Sequence, residues 1–193
     1  VGGVITAVTV QGDTLSANDT VIKTGVPGNV YTIDSETSLG NKYYIDGALT
    51  PDLTIYSGDN YDFDLSSGSL SSHPFALSIH PDGSNTTVAD VSTTFSVSSA
   101  DITVASSTGI LVGMSVTKVS GDGNLLAGTI VEAVNGNTIT LSNNPLVAGA
   151  TVVTFSGVEY TAGVTRTVDK LSIKVIDTTP NLYFYCQAHP DMG

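Results

Sequence analysis

Between residues 60 and 65 the chain reads Asn-Tyr-Asp-Phe-Asp-Leu, so Tyr61, Phe63 and Leu65 alternate strictly with Asp62 and Asp64. A period of two puts successive side chains on opposite faces and predicts a strand with one face buried. The segment "HPFALSI" (73–79) repeats the pattern, with Phe75, Leu77 and Ile79 on one face, and so does the stretch carrying Leu171, Ile173 and Val175. Near the start, shorter apolar runs stand at "GVITAVTV" (3–10), "DTVIKT" (19–24) and "NVYTI" (29–33). Turn signals at Gly12-Asp13, Asn18-Asp19 and Pro27-Gly28 separate them. No stretch keeps helical apolar spacing over three or more turns, and the fold class expected is all-β.

From about 97 to 157 the texture changes. Tyr, His and Cys disappear, and Val, Thr, Gly and Ile dominate. Within this stretch "TIVEAVNGNTITLS" predicts a hairpin, with Asn135-Gly136 as the turn between two β-rich arms. At "VEYTAGVTRTV" (158–168) the earlier aromatic-rich texture returns. An insertion within a β-sandwich accounts for this order better than three consecutive domains. The expected organisation is an N-terminal β segment (1–40), the first part of the main domain (41–96), an inserted β module (97–157) and the second part of the main domain (158–193). No period of about 20–50 residues repeats, which argues against a solenoid or propeller.

Composition agrees with strands and turns: 40% of residues are hydrophobic, 20 are Gly and none is Trp. The formal charge is −12, from 18 acidic residues against six basic ones. That balance repels phosphates and anionic lipids, so neither nucleic acid nor a membrane is expected as a partner. No run approaches the ~20 apolar residues that a bilayer-spanning helix requires. The first residues show no initiator Met, basic leader or cleavage pattern, and the sequence is expected to be a mature or excised piece of a longer chain.

The chemistry concentrates at the end. "YCQAHPDMG" holds the only Cys, one of three His and one of two Met, so Cys186, His189 and Met192 fall within seven residues. A single Cys cannot form an internal disulfide. Alone, Cys186 would read as a small inert hydrophobe, since free Cys is among the most buried residue types. The spacing C-x-x-H-x-x-M instead sets a thiolate at a strand end, with an imidazole and a thioether on the following loop. A mononuclear copper site of the blue type uses two imidazoles and a thiolate, with a weak axial thioether. His73, at the start of "HPFALSI" and just after the Ser/Gly-rich "SSGSLSS", is the natural second imidazole. His80 falls seven residues on, with opposite parity and some 20 Å along an extended strand, and is left out. Zinc suits a Cys/His pair but wants four strong ligands. A binuclear copper centre needs a second thiolate, which this chain lacks. The acidic "SGDNYDFD" and "SGDGN" lack the twelve-residue spacing of a calcium loop. No nucleophile elbow or phosphate loop occurs, and the chain is not expected to be an enzyme.

With "SHPFALS" followed much later by "TPNLYFYCQAHPDMG", the sequence resembles the cupredoxin superfamily. More narrowly, "YYIDG", "PDLTIYSGDNYDFDLSS" and "VEYTAGVTRTV" look like cupredoxin-like modules of structural proteins from marine, especially cyanobacterial, phages. The insertion, with "SSTGILVGMSV" and "GTIVEAVNGNTITLS", looks like a small β module common in such virion proteins. The resemblance implies a Greek-key sandwich, His73, Cys186 and His189 as equatorial copper ligands and Met192 as the axial one, with native occupancy left open. It implies a virion structural or decoration protein at the particle surface, in a homo-oligomer or lattice with other virion or capsid proteins. The alternative is a periplasmic or extracellular blue-copper electron-transfer protein, which the complete ligand set favours and the long insertion does not.

Overall fold

The structure is a computed structural model and describes residues 4–8, 29–36 and 41–193. In chain order the described strands are β1 (Val4–Val8), β2 (Asn29–Glu36), β3 (Lys42–Ile45), β4 (Ala48–Leu49), β5 (Leu53–Tyr56), β6 (Asn60–Asp64), β7 (Phe75–Ser78) and β8 (Thr87–Phe95). They continue as β9 (Asp101–Thr103), β10 (Ser115–Gly121), β11 (Val131–Asn135), β12 (Thr138–Leu141), β13 (Gly149–Ser156), β14 (Val164–Arg166), β15 (Lys170–Lys174) and β16 (Leu182–Cys186). Two short 3-10 turns, Gly68–Leu70 and Gly83–Asn85, are the helical elements of the described residues. The chain is all-β. The expected strand at "DTVIKT" and the turns at Gly12-Asp13, Asn18-Asp19 and Pro27-Gly28 lie outside the described residues.

Two compact units result, one from Val1–Gly83 with Glu159–Gly193 and the other from Ser84–Val158. In the first, a four-stranded sheet (β5-β1-β16-β7) and a six-stranded sheet (β14-β15-β6-β2-β3-β4) share one core. Ile5, Ile55, Phe75, Leu77, Leu182, Phe184 and Cys186 come from the smaller sheet. Ile33, Tyr43, Ile45, Tyr61, Phe63, Leu171 and Ile173 come from the larger. This is a sandwich, with the inward faces of the two sheets forming the core between them. The alternation at 60–65 is realised in β6, where Tyr61 and Phe63 are buried beside the more exposed Asp62 and Asp64. The two described strands of the first forty residues, β1 and β2, are part of this unit. β1 runs parallel to β5 and antiparallel to β16, and β2 runs parallel to β6.

Aromatic packing dominates the end of the sandwich that carries His73. Phe75 stands 5.2 Å from both Tyr43 and Phe63 and 5.8 Å from Phe184, ring centre to ring centre. Burying one such side chain stabilises by about 1.5–3 kcal/mol. The solvent-facing Asp62–Lys170 ion pair across β6 and β15, at 3.0 Å, belongs to a class worth ~0–1 kcal/mol. Hydrogen bonding from Ser172, followed by Lys170, still holds the Asp62 carboxyl below its ordinary range.

The second unit contains the sheets β10-β13-β8 and β11-β12-β9 around a core that includes Phe95, Ile102, Met114, Val131, Ile139, Val153 and Phe155. β11 and β12 form the hairpin, but Asn135 pairs with Thr138, so the two loop residues are Gly136 and Asn137. Gly136 has φ 58°, as the first loop position of a type II′ turn requires of glycine. The unit starts at Ser84, earlier than the change of texture near 97 suggested. β8 pairs along its length with β13 and therefore belongs here. Most of its residues are exposed or half-buried, with Thr93 and Phe95 buried, so its composition carries no boundary signal.

Candidate metal centre

Sequence places His73 after a tight 3-10 turn and before Pro74, and both constrain it. The Ser67 side chain caps the turn by accepting from the Ser69 N–H, and the His73 N–H donates to the Leu70 carbonyl at 2.9 Å. β7 then begins at Phe75, which is paired with Cys186 in β16. Past that pair the Gln187 N–H donates to the Pro74 carbonyl at 2.9 Å, extending the ladder by one bond. The loop that follows Cys186 is thereby led alongside His73.

His73, Cys186 and His189 converge there, each offering one ligand atom, all within 4.8 Å of one another. The two imidazoles face each other through Nδ1 at 3.1 Å, with ring centres 4.7 Å apart. Cys186 Sγ is 3.7 Å from His189 Nδ1 and accepts from the Ala188 N–H at 3.4 Å. Cys186 is fully buried and His73 is 7% exposed, while His189 is half-buried. Burial, with His189 second, pushes the His73 pKa below its ordinary value, because a charged imidazolium there would be poorly solvated and close to another imidazole. A buried thiol and two inward-facing imidazole nitrogens form a cluster that could hold a metal ion.

Met192 is fully buried in the same core cluster as Cys186. Its carbonyl accepts from the Tyr43 N–H at 3.1 Å, and the Asp191 N–H before it donates to Asp82 Oδ1 at 3.0 Å. Lys42 Nζ donates to the Asp191 carbonyl. His80 is outside the cluster and 1% exposed, with its N–H bonded to Ser78 Oγ at 3.0 Å.

Tyr43, Asp82 and Glu159 support the centre without any sequence signal that marks them. Tyr43 is one of many β-strand aromatics, Asp82 one of many turn aspartates. Glu159 accepts from Gln187 Nε2 at 2.7 Å and pairs with Arg166 at 3.1 Å, linking the loop to β14. A cleft of about 160 Å³ reaches His73 past Leu65, Leu70, Phe75, Arg166 and Val168. Comparison with protein families, with curated proteins and with solved structures gives no match.

Proposed function

We propose that the first unit is a cupredoxin-like module holding one copper ion through His73, Cys186 and His189, with Met192 as a weak axial ligand. The observation that carries this is the approach of two imidazole nitrogens and one buried thiol to within 4.8 Å of one another. The donor set itself favours copper. Thiolate and thioether are soft ligands and imidazole suits copper, whereas structural zinc uses four strong ligands. Bound copper supplies one-electron exchange between Cu(I) and Cu(II).

The chain's own residues provide the rest. Burial, with His189 second, lowers the pKa of His73 and so favours the neutral imidazole that a metal ligand must be. The Cys186 thiol is fully buried in the core cluster that includes Phe75 and Phe184, and the Ala188 N–H bonds the sulfur. These features suit holding a metal and an electron rather than turning over a substrate.

Titrating the metal-free chain with Cu(II) is expected to saturate at one equivalent, with an intense visible charge-transfer band from the Cu–thiolate bond. His73→Ala should weaken the band. Met192→Leu should keep it and raise the potential, because the axial contact is weak. A titration that ends without colour counts against the site.

For the protein as a whole we place this module in a structural component of a phage virion, assembled with other virion proteins or copies of itself. The resemblance of the flanking and inserted segments to virion modules supports this assignment. The complete donor set favours the alternative, a free blue-copper electron carrier. Sedimentation of the native source separates the two. The chain should travel with particles, and recovery only as a free monomer would select the carrier.

A further inference from the structure

The chain leaves the first unit after Gly83 and returns to it at Glu159. Both crossing points are bonded to one short loop, the one that runs from Gln187 to Met192 and carries His189. On the outgoing side, Asp82 Oδ1 accepts from the Asp191 N–H at 3.0 Å. On the returning side, Glu159 Oε2 accepts from Gln187 Nε2 at 2.7 Å, and its other oxygen meets Arg166 at 3.1 Å. Gln187 and Asp191 adjoin Cys186 and Met192 in sequence, so the two carboxylates hold opposite ends of the loop. Tyr43 holds the core side, through its N–H to the Met192 carbonyl and its hydroxyl to the His73 carbonyl.

The crossing points are themselves fixed. Gly83 lies so close to the Tyr185 ring, one residue before Cys186, that an added Cβ would fall 2.3 Å from it. The Gly83 N–H donates to the His80 carbonyl at 3.0 Å. The Tyr160 N–H, next to Glu159, donates to the Leu77 carbonyl of β7 at 2.7 Å. Asp82 and Asp191 both have left-handed backbones, φ 55° and 59°, a conformation uncommon outside glycine and kept where the surroundings enforce it. Each surface bond of this kind is weak by itself. Their placement, at both borders of one insertion and both ends of one ligand loop, is what gives them a role.

We propose that Asp82 and Glu159 are positioning residues of the metal centre, and that through them occupancy of the site is coupled to the firmness of the two crossing points. This inference rests on the copper site proposed above. A loop already held at both ends loses less freedom when its side chains take a metal, so the two carboxylates raise affinity. Linkage is reciprocal, and a bound metal therefore firms the crossing points by the same free energy.

The test uses the full chain and copper alone as the probe. Asp82→Gly removes one carboxylate and keeps a residue at ease with φ 55°. Glu159→Ala removes the other. Each should lower copper affinity by about tenfold, the low end for lost supports of metal ligands, and shift the charge-transfer band. Asp82→Asn and Glu159→Gln keep an oxygen that accepts the same hydrogen and should recover most of both effects. Asp90→Gly, the same exchange at φ 56° in β8, should change neither. Hydrogen exchange reads the coupling from the other side. Loading the wild-type chain with Cu(I) should slow exchange of the Gly83 and Tyr160 amides. Asp82→Gly should remove the slowing at Gly83, and Glu159→Ala the slowing at Tyr160. Wild-type copper uptake with unchanged affinity and band in both carboxylate-free variants, or with unchanged exchange at both amides, would overturn the inference and leave the copper site standing. Failure of the wild-type chain to take up copper would instead remove the site and the coupling with it.

Discussion

Replacing Cys186 by alanine should abolish the copper charge-transfer band and lower copper affinity by more than about 100-fold, beyond the range for lost second-sphere partners. Its sulfur is the only soft donor in the cluster of His73, Cys186 and His189, and without it two imidazoles remain. Alanine is the cleaner choice because Cys186 is fully buried in an apolar core. Serine would leave an oxygen beside the Ala188 N–H and His189 Nδ1 that now meet the sulfur, and that oxygen is itself able to contact a metal. Cys186→Ser and Cys186→Ala should both be colourless, and Cys186→Ala should show the larger loss of copper affinity in a titration. A coloured Cys186→Ala protein would show that copper binds elsewhere.

The largest loss of stability is expected from Gly83→Ala. Gly83 has φ 51°, and a Cβ added there would fall 2.3 Å from two ring carbons of Tyr185. Tyr185 cannot move aside easily. It is fully buried and sits in the β16–β7 ladder opposite Ala76, one residue before Cys186. Overpacking costs about 1–3 kcal/mol and a left-handed backbone about 1–2 more, so a loss of roughly 2–5 kcal/mol is expected. Gly47→Ala isolates the backbone part. Its φ is 77°, and nothing lies within 4 Å of the added atom. Chemical denaturation should show Gly83→Ala losing clearly more than Gly47→Ala. Equal losses would mean that the Tyr185 ring yields without cost.

The sandwich was legible because alternation reports burial directly. Asp62 and Asp64 interleaved with Tyr61 and Phe63 admit only a strand with one wet face. Neighbour choice was not legible, since the parallel pairs β1–β5 and β2–β6 join segments whose side-chain patterns carry no information about partners. The place of β8, which lies within the expected segment 41–96 and pairs with β13, is not legible for a related reason. Its threonine-rich, largely exposed pattern suits an edge strand of either unit, and only its ladder with β13 decides. At the centre, His73, Cys186 and His189 stood out because each is rare in this chain and chemically distinctive. The supporting groups did not. Tyr43 acts through a hydroxyl and an amide that any buried strand tyrosine possesses, and its role comes from the packing of two sheets.

One copper ion is proposed to bind to the sulfur of Cys186 and to the two facing imidazoles. X-ray absorption at the copper edge, on the full chain loaded with one equivalent, tests it most directly. One short sulfur contact together with two imidazole nitrogens is the predicted shell. A shell of nitrogen and oxygen alone, without sulfur, would contradict it.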